Sequence, residues 1–191
     1  SGVDDSSSPG VTVTANVDDA AGNSATQASV TVTQDTADPT MTITSVTVSS
    51  GGTTATAAVA LVFTSNEATS NFAQADITET GCSLGTFAAT STTIYTDTCT
   101  VSADGAASIL VAAGKFTDTA GNGNTVSNTY SWTQDDTGPT MTITSNTVDS
   151  GSSTNTGAVV LIYTSNEVTS NFIIDDITET DCSTDSFTTA G

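Results

Sequence analysis

An all-β chain of tandem two-sheet sandwiches, each of about 100 residues, is the fold class the sequence predicts, on three observations. The chain repeats itself at a fixed offset. Short runs rich in Thr, Val and Ile alternate with clusters of Gly, Asn, Asp and Ser, the pattern of strands and turns. No stretch carries the apolar period of an amphipathic helix.

The repeat sets the organisation. Gln34 to Ser45 reads QDTADPTMTITS, and Gln134 to Ser145 reads QDDTGPTMTITS. Residues 65–83 (SNEATSNFAQADITETGCS) return at 165–183 as SNEVTSNFIIDDITETDCS. The offset is 100 without a gap, with 34 identities over 58 aligned positions. Asp19-Ala20-Ala21-Gly22-Asn23 likewise matches Asp118-Thr119-Ala120-Gly121-Asn122. Residues 1–34 therefore read as the carboxyl-terminal part of one repeat, 35–134 as a complete repeat, and 135–191 as the amino-terminal part of another. On this reading the chain is a window from a longer array.

Within the complete repeat, strand A is expected near 40–48. It starts beside Pro39, where a fixed φ and a missing N–H are tolerated and stiffen the entry; Pro139 does the same one repeat later. Strand B, near 57–64, alternates Val59, Leu61 and Phe63. Strand C, near 75–82, ends at Cys82; strand D follows near 85–89. Strand E, near 92–101, alternates less cleanly through Ile94, Tyr95 and Val101. Strands F and G are expected near 106–113 and 126–134, the last alternating Tyr130 and Trp132. Seven strands in such a length point to an immunoglobulin-like β-sandwich. Few aromatics lead to the expectation of a modest core of small β-branched residues.

Charge removes several functions at once. Against 21 Asp and Glu there is one basic residue, Lys115, and the net charge is -20. Such a chain cannot neutralise a run of phosphates or an anionic bilayer, so neither nucleic acid nor a membrane surface is a partner. There is no apolar run of membrane-spanning length. With no His, imidazole metal sites and His-based triads are excluded, leaving hard oxygen-binding cations, calcium above all. Ser and Thr together number 68, but no base accompanies them. No aromatic platform for a sugar ring appears, and no Asn-x-Ser/Thr sequon is present. The chain is not expected to be an enzyme, and a carbohydrate-binding accessory module is the weakest alternative.

Four segments carry a resemblance: the linker D-x-x-x-P-T from Asp35 to Thr40, S-N-E from Ser65 to Glu67, F-x-x-x-D-I-T from Phe72 to Thr78, and F-T-D-T-A-G-N from Phe116 to Asn122. They resemble the bacterial immunoglobulin-like (Big) tandem repeat domains of large extracellular surface adhesins and biofilm proteins. The resemblance implies an extracellular or cell-surface location, a role as spacer and adhesion module, and calcium at domain junctions. The Cys pair departs from many of those repeats.

Cys82 and Cys99 fall in the complete repeat, and Cys182 is the equivalent of Cys82, with its partner expected near position 199. Without a C-x-x-C spacing or a His, a structural disulfide is a better reading than a metal site. The loop it closes makes it worth roughly 3 kcal/mol.

Most acidic residues read as solvated surface. Sandwich topology singles out a subset, because the incoming linker, the B–C loop and the F–G loop share one pole. Asp35 and Asp38, Asn66 and Glu67, and Asp118 and Asn122 would converge there, with Asp135, Asp136 and Glu167 in the same positions one repeat later. Crowded carboxylates without basic partners are compensated most simply by Ca2+. The competing reading makes D-x-A-G-N a turn alone, capped by Asp with Gly at φ > 0. Asp76 reads as a partly buried carboxylate bonded to loop amides, and Glu79 as solvated. The leading expectation is thus a structural and adhesive stalk segment whose partners are the neighbouring repeats. The alternative is the building subunit of an ordered filament held by lateral self-association, which so large a net charge resists unless cations intervene.

Overall fold

The structure is a computed structural model that describes residues 10–184 and 186–188. The outermost residues of the expected terminal repeat fragments therefore lie outside the described residues. The chain divides into two compact units, residues 1–136 and 137–191.

The first unit opens with a hairpin of β1 (Val11–Ala15) and β2 (Ala28–Val32), in register at Val13 and Val30. The complete sandwich follows. Its strands are β3 (Met41–Ser45), β4 (Thr53–Thr54), β5 (Ala58–Ser65), β6 (Ile77–Thr80), β7 (Ser83–Leu84), β8 (Ala88–Ala89), β9 (Ile94–Thr100), β10 (Gly105–Val111) and β11 (Tyr130–Gln134). One sheet has the order β4-β11-β10-β6; the other has β3-β5-β9-β7, with β8 also on β9. Strands A, B, D and E thus form one layer and C, F and G the other, as an immunoglobulin-like sandwich requires. Every pairing is antiparallel except β4 with β11.

The period-2 pattern does the sorting. On β5, Val59, Leu61 and Phe63 are buried while the residues between them are not; on β10 the buried set is Ala107, Ile109 and Val111. The core between the layers is more aromatic than expected. Phe72, from the segment before β6, has its ring centroid 5.9 Å from Phe63, 5.6 Å from Phe87, 5.0 Å from Tyr95 and 5.2 Å from Phe116. Tyr130 and Trp132 are both buried.

Several expected strands change: strand A stops at Ser45, strand D is split into β7 and β8, strand F ends at Val111, and strands C, G and E change at their ends or faces. Strand C begins at Ile77, because Gln74–Asp76 form a 3-10 turn closed by Asp76 Oδ2 accepting from Ala73 N (2.9 Å). Strand G begins at Tyr130 rather than 126, because Ser127 and Asn128 bond through their side chains. Ser127 Oγ accepts from Val111 N (2.9 Å), and Asn128 pairs with both backbone groups of Ile43 (2.8 and 3.0 Å). The untidy pattern of strand E has two causes: apolar Ile94 is exposed, and Asp97 faces the core between Tyr95 and Cys99, only 3% exposed. Its carboxylate accepts from Gln74 Nε2 (2.8 Å), Gly85 N (3.1 Å) and Thr98 N (2.7 Å), which satisfies the buried charge.

Cys82 and Cys99 form a disulfide. Cys82 lies where the chain passes from β6 in one sheet to β7 in the other, so the bridge fixes that crossover to the central strand β9. Gly81, just before it, has φ 74°, and a Cβ there would collide with the Ala106 carbonyl oxygen. Cys182 is exposed and free of a disulfide.

In the second unit, β12 (Met141–Ser145) pairs with β13 (Leu161–Ser165) in the register Met141 to Ser165, the equivalent of Met41 to Ser65. Phe172 packs on Tyr163 (5.6 Å) and Phe187 (5.3 Å). Met141, Ile143 and Leu161 are exposed.

Candidate cation site at the amino-terminal pole

Three segments meet at the pole of the complete sandwich where the linker enters. The linker is tied down by Thr125 N, which donates to Pro39 O (3.0 Å), and by Asn66, which brackets Thr40. Asn66 Oδ1 accepts from Thr40 N (2.6 Å) and Asn66 N donates to Thr40 O (3.2 Å). The B–C loop is stitched to the F–G loop by Ser70 N to Thr117 O (2.9 Å) and by Asn71 Oδ1, which accepts from Thr117 N (2.8 Å). Buried Asn124 shapes the F–G loop from within. Its Oδ1 accepts from Lys115 N and Phe116 N, and its Nδ2 donates to Ala112 O and Thr125 O. These ties explain why a Gly- and Asn-rich loop holds one shape.

On this frame one carboxylate oxygen from each of Asp35, Glu67 and Asp118 lies within 4.8 Å of the others. Asp35 is exposed, Glu67 half-buried and Asp118 buried. Asp118 Oδ1 accepts from Gly121 N (2.6 Å) and Asn122 N (2.8 Å), and Oδ2 accepts from Asn122 Nδ2 (2.8 Å). Gly121, at φ 100°, lets the turn fold back around that carboxylate. The Asn122 amide also reaches the linker, donating to Asp35 O (3.0 Å).

The electrostatics of the cluster are uneven. Desolvation acts to raise the Asp118 pKa, but the hydrogen bonds from Asn122, Gly121 and Ala120 outweigh it and hold it below the ordinary value. Glu67 is pushed above its ordinary value by desolvation and then by the charges of Asp35, Asp118 and Asp38. A carboxylate with a raised folded-state pKa contributes stability below its unfolded value and loses it as pH rises through the folded one. In EDTA, the melting temperature is therefore expected to fall as pH rises above 4.5, the ordinary glutamate value, and Glu67→Gln to flatten that fall. An unchanged profile in the variant would show that Glu67 carries no repulsion. Asp118 acts with the opposite sign: its contribution is present above 3.8 and is lost only as pH falls through its depressed folded-state value.

The remaining expected residues take other places. Asp38 is exposed and acts on Glu67 through its charge. Asn66 is a clamp for the linker backbone, and Asn122 is a donor that ties Asp118 to Asp35. Asp135 and Asp136 belong to the first unit and Glu167 to the second. Asp136 N donates to Asp104 Oδ1 (2.8 Å), and a hydrogen bond between the two carboxyl groups raises the Asp136 pKa. Glu167, half-buried, repeats one contact of Glu67: the backbone N of each donates to the Ser Oγ two residues earlier (3.4 Å). Asn166 clamps Thr140 as Asn66 clamps Thr40, with the same 2.6 Å bond. Asp19 caps its own turn, accepting from Ala21 N, Asn23 N and Asn23 Nδ2, which lowers its pKa. Asn71 and Asn124 were not singled out from the sequence; the return of Asn71 as Asn171 in the repeat was the available signal for the first.

The family model described as bacterial Ig-like domain matches residues 35–133. The chain belongs to the bacterial Ig-like domain family. The match covers the sandwich up to the penultimate residue of β11, including all three carboxylates and the disulfide. Bacterial Ig-like domains are structural modules that commonly sit on surface proteins. No curated protein and no solved structure matches the chain. Among the described residues no helix is long and apolar enough to cross a membrane. The outer face of the β4-β11-β10-β6 sheet has a groove lined by residues such as Thr80, Ser108, Ser131 and Thr133, and none of its lining residues is titratable.

Proposed function

We propose that this bacterial Ig-like chain is a non-catalytic segment of an extracellular tandem array, a structural and adhesive stalk stiffened by its disulfide and by Ca2+ where a linker enters a sandwich. The observation that carries the reading is the meeting of Asp35, Glu67 and Asp118 within 4.8 Å, each from a different segment. A cation held by all three joins linker to domain, so binding becomes stiffness. Flexible coordination by carboxylates, backbone carbonyls and water suits Ca2+ better than Mg2+, which demands near-ideal octahedral geometry. In such an array stability sums over repeats and junctions, and function resides in length and spacing.

The experiment is calcium titration of the whole chain, followed by thermal melting and small-angle scattering, with EDTA as control. Calcium is expected to raise the melting temperature and to narrow the range of particle dimensions, and Asp35→Asn with Glu67→Gln to abolish both effects. If calcium changes neither, the pole is only a solvated acidic surface and the cation reading is lost.

A second reading, the building subunit of an ordered filament, requires lateral self-association between copies of the chain. Sedimentation that depends on concentration would favour it, and a monomer throughout would remove it.

A further inference from the structure

Asn122 is followed by Gly123, the one Asn–Gly step in the chain. An Asn side chain is open to attack by the backbone nitrogen of the next residue, and a Cβ on that residue hinders the approach. The surroundings of Gly123 favour the attack. Gly123 is exposed, and a Cβ there would find nothing nearer than the Gly114 Cα at 3.8 Å. Thr117 and Gly123 form an antiparallel bridge whose hydrogen bonds are made by the flanking residues, Asp118 N to Asn122 O (3.1 Å) and Asn124 N to Phe116 O (3.0 Å). The Gly123 N–H therefore takes no part in the ladder and has no partner among the described residues.

What restrains the reaction is the Asn122 amide itself. Its nitrogen is held by Asp118 Oδ2 (2.8 Å) and Asp35 O (3.0 Å), so the side chain must leave both before its Cγ can turn toward Gly123. The same turn occurs earlier with a different following residue. Asn23 Nδ2 donates to Asp19 Oδ2 at the same 2.8 Å, but Ser24 follows it and supplies the hindering Cβ.

We propose that Asn122 is a covalent ageing site that weakens the grip of the sandwich on its incoming linker. Gly123 N bonds to Asn122 Cγ, the Cγ–Nδ2 bond breaks, and ammonia leaves with the proton from the backbone nitrogen. Water then adds across one of the two C–N bonds of the succinimide, giving aspartate or isoaspartate at position 122. The product carboxylate cannot donate to Asp35 O or to Asp118. It also adds a negative charge beside three carboxylates, and the isoaspartyl form lengthens the backbone of the turn. The inference does not depend on an occupied cation site.

The test is prolonged incubation of the full chain in neutral buffer, then peptide mapping by mass spectrometry with separation of aspartyl from isoaspartyl products. Conversion is expected at Asn122 with Asn23 of the same molecule intact. Gly123→Ser, which has room for its Cβ, is expected to reduce conversion at least tenfold. Limited proteolysis after acidic residues is expected to cut at 35–38 several-fold faster in aged protein and in Asn122→Asp. Equal conversion at both asparagines, or conversion indifferent to Gly123→Ser, overturns the assignment of the site. Linker cutting that is unchanged by conversion overturns its effect on the junction.

Discussion

Replacing Phe72 by alanine is expected to destabilise the sandwich by about 3–5 kcal/mol, the usual cost of emptying a buried aromatic site. The ring touches four others, Phe63, Phe87, Tyr95 and Phe116, and is 7% exposed. It lies between the layers at the pole where the linker enters. Its removal therefore takes a ring contact from Phe116, two residues before Asp118. Tyr95 loses a ring contact as well; its hydroxyl pairs with Thr69 Oγ1 (2.6 Å), and Thr69 forms a bridge with Asp118. A domain of this size has only about 5–15 kcal/mol of stability, so the variant is expected to unfold at a much lower urea concentration. Trp132, the sole tryptophan, is buried in the same sandwich and reports the transition by fluorescence. A midpoint shift equivalent to less than about 1 kcal/mol would mean that the cluster relaxes around the gap and does not brace the pole.

The second large effect is expected from the disulfide. Replacing both Cys82 and Cys99 by alanine removes a cross-link over a separation of 17 residues, which loop-closure entropy values at about 3 kcal/mol. The Cys99 side chain is wholly buried, so alanine is the appropriate replacement and keeps an apolar surface. The control is Cys182→Ala, a change at an exposed free thiol that should leave Trp132 unfolding where it was. If the double variant unfolds with the unchanged protein, the crossover from β6 to β7 is held by the β7–β9 pairing and the Asp97 hydrogen bonds without help from the disulfide.

Much of this protein is readable from local chemistry. The offset repeat identifies what recurs, and the alternation Val59, Leu61, Phe63 fixes both a strand and its buried face, because side chains on a strand alternate with period 2. The turn at Asp118 to Asn122 was legible for the same reason. A short carboxylate, a Gly able to take positive φ and an Asn make their hydrogen bonds within five residues, and Asp19 to Asn23 repeats them.

What failed locally failed where the partner is distant in sequence. Asp97 looks like a surface residue in an irregular strand until Gln74 and Gly85 arrive to satisfy it. Strand G begins only at Tyr130 because the Asn128 side chain accepts from Ile43 N and donates to Ile43 O, 85 positions away. Sparse aromatics suggested a core of small residues, yet Phe63, Phe72, Phe87, Tyr95 and Phe116 come together from five separate segments. Composition counts side chains and cannot say which of them meet.

The candidate site divides along the same line. From the sequence it follows that the chain is acidic, lacks His, carries oxygen-bearing side chains in three segments and folds as an all-β sandwich whose poles collect loops. Only the tertiary structure decided that Asp35, Glu67 and Asp118 bring oxygens together while Asn66 and Asn122 become clamps. The physical reason is that a carboxylate's chemistry depends on the charges and donors within a few ångströms of it. For Glu67 those are the carboxylates of Asp35 and Asp118, which lie 32 and 51 positions away along the chain.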